Sequence, residues 1–369
     1  MDSGARPLRS LGNFWQVPNK TGTVWGFDIG GANLKAVCLA RPAGLVEARN
    51  HAFALWRAPT DLNVALRAVS ASFPAPDQIV ITMTGEIADC FPTKCAGVTA
   101  IVAQCETAFG ELGIPIRYYS QSATQAGPTW VTGHVATAEW RSVSASNWHA
   151  VARLWGEYFG TKFQAPGLIV DLGSTTLDLT TVDARESLGP ATDWERIQQG
   201  RLVYTGGRRS PLAMILPQVE YRGLRLPLAQ ELFATIQDAY LLTGLLEEDE
   251  GDSTTADGRP ATRACAEQRI ARHFCSDVRE LPSDFIQQVA EQAQSRHLQR
   301  ISEAINRVIL ENAELKWLLT LGEGERPLLQ AIAQTSWGHS AQSLHSGRDL
   351  LDPQISGAMP AAAIAIMAQ

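Results

Sequence analysis

Two short stretches hold residues whose types and spacing suit phosphate and metal chemistry. In the first, Val24 to Ala40, an apolar run ends at Asp28, turns through Gly30-Gly31-Ala32-Asn33, and resumes after Lys35. In the second, Leu168 to Val182, the same order returns as Asp171, Gly173, Ser174-Thr175-Thr176 and a further apolar run. Each reads as strand, tight turn and strand, with an acid at the lip of the turn. Glycines there admit positive φ and let an anion come close to the backbone. Successive N–H groups in such a turn make a concave anion site. An Asp beside bound phosphate is a natural ligand for a hard cation such as magnesium. A Gly-Gly pair alone also marks an ordinary β-hairpin; the second copy tips the reading toward function.

Three further groups of residues fit the same chemistry. An apolar run from Leu318 ends in Gly322-Glu323-Gly324. Gly206-Gly207 is followed by Arg208 and Arg209, which suit either a forked phosphate or carboxylate contact or a solvated turn. The strand-like run Gln78 to Met83 leads into Glu86, Asp89 and Lys94. Strand ends in α/β folds are where ligands bind, so Glu86 and Asp89 are candidates for an acid or base. The same two acids would also favour the positive end of a helix dipole.

These groups need elements to position them. Beyond the two hairpins, the pattern predicts strands at His51–Trp56, Gln78–Met83, Ile114–Tyr119, Gly200–Thr205 and Trp317–Leu321. Helices are expected from an Asp61 cap to Phe73, and over Val98–Leu112, Ser146–Phe159 and Leu228–Leu242. Others are expected from a Ser283 cap to Leu310 and from Arg326, with an apolar tail helix at Met359–Met367 led by Pro360. Trp130, Trp140, Trp148 and Trp155 lie close together near Gly127-Pro128. They suit helix-on-sheet packing first and ring stacking on an aromatic ligand second. Glu247 to Asp252 reads as an acidic surface loop and Thr255 to Pro260 as a turn.

A chain of 369 residues has room for two domains. We place a loose tail at 1–21, a first domain at 22–165 and a second at 166–369, with the last helix returning to the first. A net charge of −7 without a basic block argues against a nucleic-acid partner. No run of about eighteen apolar residues suggests a membrane span. Met1 to Lys20 lacks a signal-peptide core. Cys38, Cys90, Cys95, Cys105, Cys265 and Cys275 show no metal-type spacing and read as reduced thiols of a cytoplasmic protein.

Two Asp–Gly hairpins followed by a late Gly-x-Gly turn resemble the actin, sugar-kinase and heat-shock ATPase superfamily. That implies an α/β, two-domain, ribonuclease H-like fold whose two hairpins grip phosphates across a cleft. A narrower likeness rests on Asp28–Lys35, Thr82–Phe91, Ser146-Asn147-Trp148 and Thr255–Pro260. Together these resemble the hydantoinase/oxoprolinase-like proteins of tetrahydromethanopterin-linked one-carbon pathways, whose archaeal relatives include a methanofuran-biosynthesis enzyme. The resemblance implies a transferase that joins a furanmethanol diphosphate to the phenol oxygen of a glutamyltyramine or tyrosine-like acceptor, releasing pyrophosphate. It implies Asp28 and Asp171 as magnesium ligands, Glu86 or Asp89 as the base, and Lys35 and Arg208 as partners for the pyrophosphate. Gly30, Gly31, Ala32, Asn33, Gly173, Ser174, Thr175, Thr176, Gly322 and Gly324 would line the phosphates. Two other readings stand beside it. One is an ATP-dependent amidohydrolase or kinase, which Gly322-Glu323-Gly324 favours. The other is a scaffold without catalysis, which the intact acids and glycines disfavour. A homo-oligomer is open under all three.

Overall fold

The computed structural model describes residues 21–41, 44–121, 129–183, 186–188, 192–339, 343–351 and 353–368. The expected tail at 1–20 and the Gly127-Pro128 pair lie outside them. The elements begin with β1 (Gly22–Ile29), β2 (Asn33–Arg41), β3 (Gly44–Ala52), α1 (Leu62–Ser70), β4 (Gln78–Met83), α2 (Lys94–Phe109), β5 (Ile116–Ser120) and β6 (Thr129–Val131). There follow α3 (Gly133–Ala138), α4 (Trp140–Val143), α5 (Asn147–Phe163), β7 (Gly167–Leu172), β8 (Leu177–Asp183), β9 (Glu186–Leu188), α6 (Asp193–Gln198), β10 (Leu202–Val203) and α7 (Leu212–Ile215). Next come β11 (Gln218–Tyr221), β12 (Leu224–Pro227), α8 (Ile236–Thr243), α9 (Arg263–Arg272) and α10 (Phe285–Glu311). The last are β13 (Trp317–Leu321), α11 (Glu325–Ala333), β14 (Ser343–Ser346), α12 (Gly347–Leu350), α13 (Pro353–Gly357) and α14 (Met359–Met367).

The chain divides into two compact units, one of residues 1–167, 180–195 and 347–369 and one of residues 168–179 and 196–346. The sheet of the first runs β3-β2-β1-β4-β5-β6. Its first three strands are antiparallel neighbours, and β4 and β5 then continue parallel to β1. The sheet of the second runs β10-β8-β7-β13-β14, with β13 and β14 parallel. Setting aside β6 at the edge of the first sheet and β9, which pairs with β8 off the path of the second, both sheets place their strands in the order third, second, first, fourth, fifth. Each puts a hairpin turn between its first two strands and a glycine-bearing turn after its fourth.

Burial explains the elements. Strand β4 is apolar and central, with Ile79 to Met83 all buried. Trp25 lies edge-on to Phe27, Phe73 and Phe109 in the first core. Helix α14 is apolar on every side and packs on β1, β2, β4 and α5. A Cβ on Gly26 would come within 2.3 Å of the Ala361 carbonyl oxygen, so only glycine allows that approach. Trp155 is fully buried and stacks on Phe159, while Trp148 is buried edge-on to His149. These two indoles are packing residues. No helix among the described residues is long and apolar enough to cross a membrane. All six cysteines are unbridged.

Several boundaries differ from the sequence expectation. The third strand spans Gly44–Ala52 rather than 51–56, because its polar alternation, Glu47 to Asn50, pairs at the β2 edge. Helix α8 starts at Ile236 rather than 228, where Thr235 and Asp238 form a capping box. Helix α2 starts at Lys94, capped by Thr93, whose hydroxyl accepts the Ala96 N–H at 3.1 Å. Asp61 makes no side-chain cap to α1, and α10 begins after Asp284 rather than at Ser283.

Candidate functional site

In the first unit the turn closes by the Gly30 N–H donating to the Asn33 carbonyl at 2.9 Å. Gly31 and Ala32 then accept the backbone N–H groups of Leu55 and Phe53. Register places Asp28 opposite Lys35 on β2 and beside Thr82 on β4. Lys35 Nζ lies 3.5 Å from Asp28 Oδ2, while Asp28 Oδ1 is buried without a hydrogen-bond partner. Burial pushes the Asp28 carboxyl above its ordinary range, and the Lys35 charge opposes that push.

The segment after β4 abuts this turn. Thr84 N–H donates to the Ile29 carbonyl at 2.9 Å, and a Cβ on Gly85 would press on the Gly30 carbonyl. Glu86 is buried; its Oε1 accepts the Ser144 hydroxyl at 2.6 Å, and its Oε2 is buried without a partner. Burial raises its pKa, and the Ser144 hydrogen bond and the Lys94 charge resist. Lys94 is tied to Asp193 at 3.8 Å. Asp89 is exposed. The Thr82 and Ser146 hydroxyls form a buried pair at 2.7 Å, which links β4 to the start of α5.

In the second unit the turn closes by the same bond, Gly173 N–H to the Thr176 carbonyl at 2.9 Å. Three glycine segments interleave here. Gly207 N–H donates to the Gly173 carbonyl at 2.9 Å, and Arg209 N–H to the Ser174 carbonyl at 2.8 Å. Gly324 N–H donates to the Leu172 carbonyl at 2.9 Å. A Cβ on Gly206 would come within 2.3 Å of the Thr175 nitrogen. Gly322 takes φ +95°, and a Cβ there would meet Asp171 Oδ1 at 2.3 Å. The fold thus brings Asp171, Gly173, Ser174, Thr175, Gly322, Gly324 and Arg208 together. Arg208 does find carboxylates: Nη1 donates to Asp252 at 2.6 Å, and Nε lies 3.5 Å from Glu323. Asp178 takes the place that Lys35 holds in the first turn, accepting from Thr176 at 3.1 Å and from buried Arg196 at 2.8 Å.

Asp257, in the Thr255–Pro260 turn, accepts hydrogen bonds from Arg259, Arg269 and Arg272 and so ties that turn to α9. Sequence reasoning missed Ser144, the Thr82–Ser146 pair and Asp178. Only Asp178 carried a signal, its place in the internal repeat.

Asp28 Oδ1, buried and unpartnered, is the kind of oxygen a hard cation satisfies. Asp171 stands at the lip of a turn whose next strand offers a second carboxylate, Asp178. No cluster of three or more His, Cys, Asp or Glu residues arranged for a metal exists among the described residues. Magnesium suits such sparse sites, since it keeps water and phosphate oxygens as most of its shell.

Two sheets that share a five-strand order, each with an acid-lipped hairpin between its first two strands and a glycine turn after the central strand that follows, define an actin-like, ribonuclease H-type fold. The hydantoinase/oxoprolinase family model matches residues 77–325, and the chain belongs to that family. It is 27% identical over 351 residues to (4-{4-[2-(gamma-L-glutamylamino)ethyl]phenoxymethyl}furan-2-yl)methanamine synthase of Methanocaldococcus jannaschii, covering 94% of this chain and 97% of the relative. It is 26% identical over 200 residues to a synthase of the same name from Methanococcus vannielii, covering 54% of this chain and 89% of that one. Nucleotide-free acetone carboxylase, an enzyme of ATP-dependent acetone carboxylation, shares the fold: TM-score 0.51 at 11% identity, over 94% of this chain and 70% of that chain.

Proposed function

We propose that this protein is a transferase that forms an aryl furanylmethyl ether in the biosynthesis of a methanofuran-type cofactor. The relatives' name describes a phenoxymethyl link between a tyramine ring and a furan. Making it requires a bond between the phenol oxygen and the furan methylene carbon. On this reading the donor is a furanmethanol diphosphate. The carbon–oxygen bond to diphosphate breaks, pyrophosphate leaves with the bonding pair, and the phenol proton passes to a carboxylate. The observation that carries the reading is the pair of turns closed by the same hydrogen bond, each with an aspartate at its lip.

Each turn serves as a phosphate-binding element through its backbone N–H groups. Each aspartate would serve its own turn as a magnesium ligand, Asp28 in the first and Asp171 in the second, and magnesium would stabilise charge on the departing oxygen. Lys35 at the first turn and Arg208 at the second would each supply positive charge to a phosphate group bound at its own turn; Arg208 is held there by Asp252 and Glu323. A phenol titrates near about 10, so a basic carboxylate helps to remove its proton. Glu86, raised by burial and with Oε2 unpartnered, is the assigned acceptor of that proton. Asp89 is the alternative on the same segment.

The test is pyrophosphate release from synthetic furanmethyl diphosphate with several phenolic acceptors. Glu86→Gln is expected to slow turnover by about 10²–10⁴-fold, and Asp89→Asn to leave it near wild type. The opposite result moves the base to Asp89. The Gly322–Gly324 turn beside Asp171 favours a second reading, an ATP-dependent amidohydrolase or kinase. ATP turnover without any furan substrate would select it.

A further inference from the structure

We infer that His297 is a positioning residue for the second turn, acting through Thr205 and the Gly206–Ser210 segment; this rests on the phosphate-binding reading above. His297 lies midway along α10 and is fully buried, as are Thr205 and Tyr240. Its Nε2 is 2.9 Å from Thr205 Oγ1 and its Nδ1 is 2.5 Å from the Tyr240 hydroxyl. Burial first, then the Arg300 charge, pushes its pKa down to about 3, so the ring is neutral at physiological pH. A neutral imidazole offers one donor and one acceptor, which matches two hydroxyls. Deleting the ring would leave both hydroxyls buried and stranded.

The neighbours of this triad show what it holds. Thr205 runs directly into Gly206, whose N–H donates to Ser210 Oγ at 2.8 Å. The same segment sends the Gly207 N–H to Gly173 and the Arg208 and Arg209 N–H groups to Ser174. Thr205 is thus the link between a 27-residue helix and the peptide groups of the turn. Three polar side chains inside a helix-packing core cost more than apolar ones of the same size. A fixed glycine segment, and with it the aim of Arg208, is what that arrangement secures.

Calorimetric titration of the full chain with magnesium pyrophosphate and with magnesium ATP, paired with steady-state kinetics, tests this. Whichever phosphate ligand the wild type binds should bind about tenfold more weakly to His297→Leu, with recovery in His297→Gln, which keeps a donor and an acceptor. KM for the diphosphate donor should rise in step while KM for the phenolic acceptor holds within about twofold. Tyr240→Phe, which removes one hydroxyl without a cavity, should show about a threefold loss and carries the test if His297→Leu does not fold. Variants with a lowered Tm but unchanged phosphate affinity and donor KM would overturn the inference and leave the phosphate reading standing. A wild type that binds neither ligand would overturn both.

Discussion

Across the first hairpin Asp28 faces Lys35, a carboxylate against an ammonium at 3.5 Å. In the second, Asp171 has Asp178 in the equivalent place, and Asp178 is tied to the buried guanidinium of Arg196. The backbone device is shared, down to the length of the closing hydrogen bond. The electrostatics are not. The first turn sets a cation, Lys35, beside its acid, whereas the second offers two acids and an arginine already engaged. On the proposed reading the second turn therefore depends on magnesium more heavily than the first, which also has Lys35. The two turns share their backbone geometry and differ in the charge around it.

The sharpest way to break that comparison is at the acids. Asp171→Asn should lower turnover by about 10³-fold and blunt its response to magnesium. Asp28→Asn should cost less and blunt the magnesium response less, because Lys35 remains. Equal losses with equal loss of magnesium response would show that the turns do not divide the work, and the double variant would reveal whether they act on one ligand. Next in size is the glycine scaffold: Gly206→Ala must displace the Ser174–Thr175 peptide. It should weaken pyrophosphate by about 10–100-fold in titration, while Gly31→Ala, whose Cβ meets nothing, should be nearly silent.

Lys35→Met should raise the donor KM about tenfold without changing the magnesium requirement, whereas Asp178→Asn should weaken magnesium about tenfold. The smallest effect concerns stability. Glu86 is raised by burial, so its contribution is fully present below its ordinary pKa and is lost as pH climbs through the raised value. Glu86→Gln escapes that loss. Its Tm should match wild type at pH 4 and exceed it by about 2–4 °C at pH 8, read by thermal scans across pH. A gain that is constant with pH would show that Glu86 does not titrate in that window.

What the sequence made legible follows from the range of each interaction. The two turns were readable because an Asp, a glycine and a strand on either side are local requirements of one hairpin. Strand β3 was misplaced because Glu47 to Asn50 lack the apolar run that marks a strand; pairing with β2 fixes them instead. Ser144 meets Glu86 across 58 positions, and Thr205 meets His297 across 92. No local pattern announces such pairs, since either partner alone is an ordinary polar residue. Asp178 was open to view, yet its meaning appears only when the second hairpin is laid over the first.

Helix α14 carries a consequence for how the protein is made. It covers β1, β2 and β4, but the ribosome synthesises it after the whole of 168–346. Until then the groove at Gly26 is bare, and the nascent first unit emerges with an oily flank awaiting its cover. Its sheet can form early, while its completion waits on translation of α14. Chaperone occupancy on stalled nascent chains should therefore persist on the first unit until Met359–Met367 clears the exit tunnel.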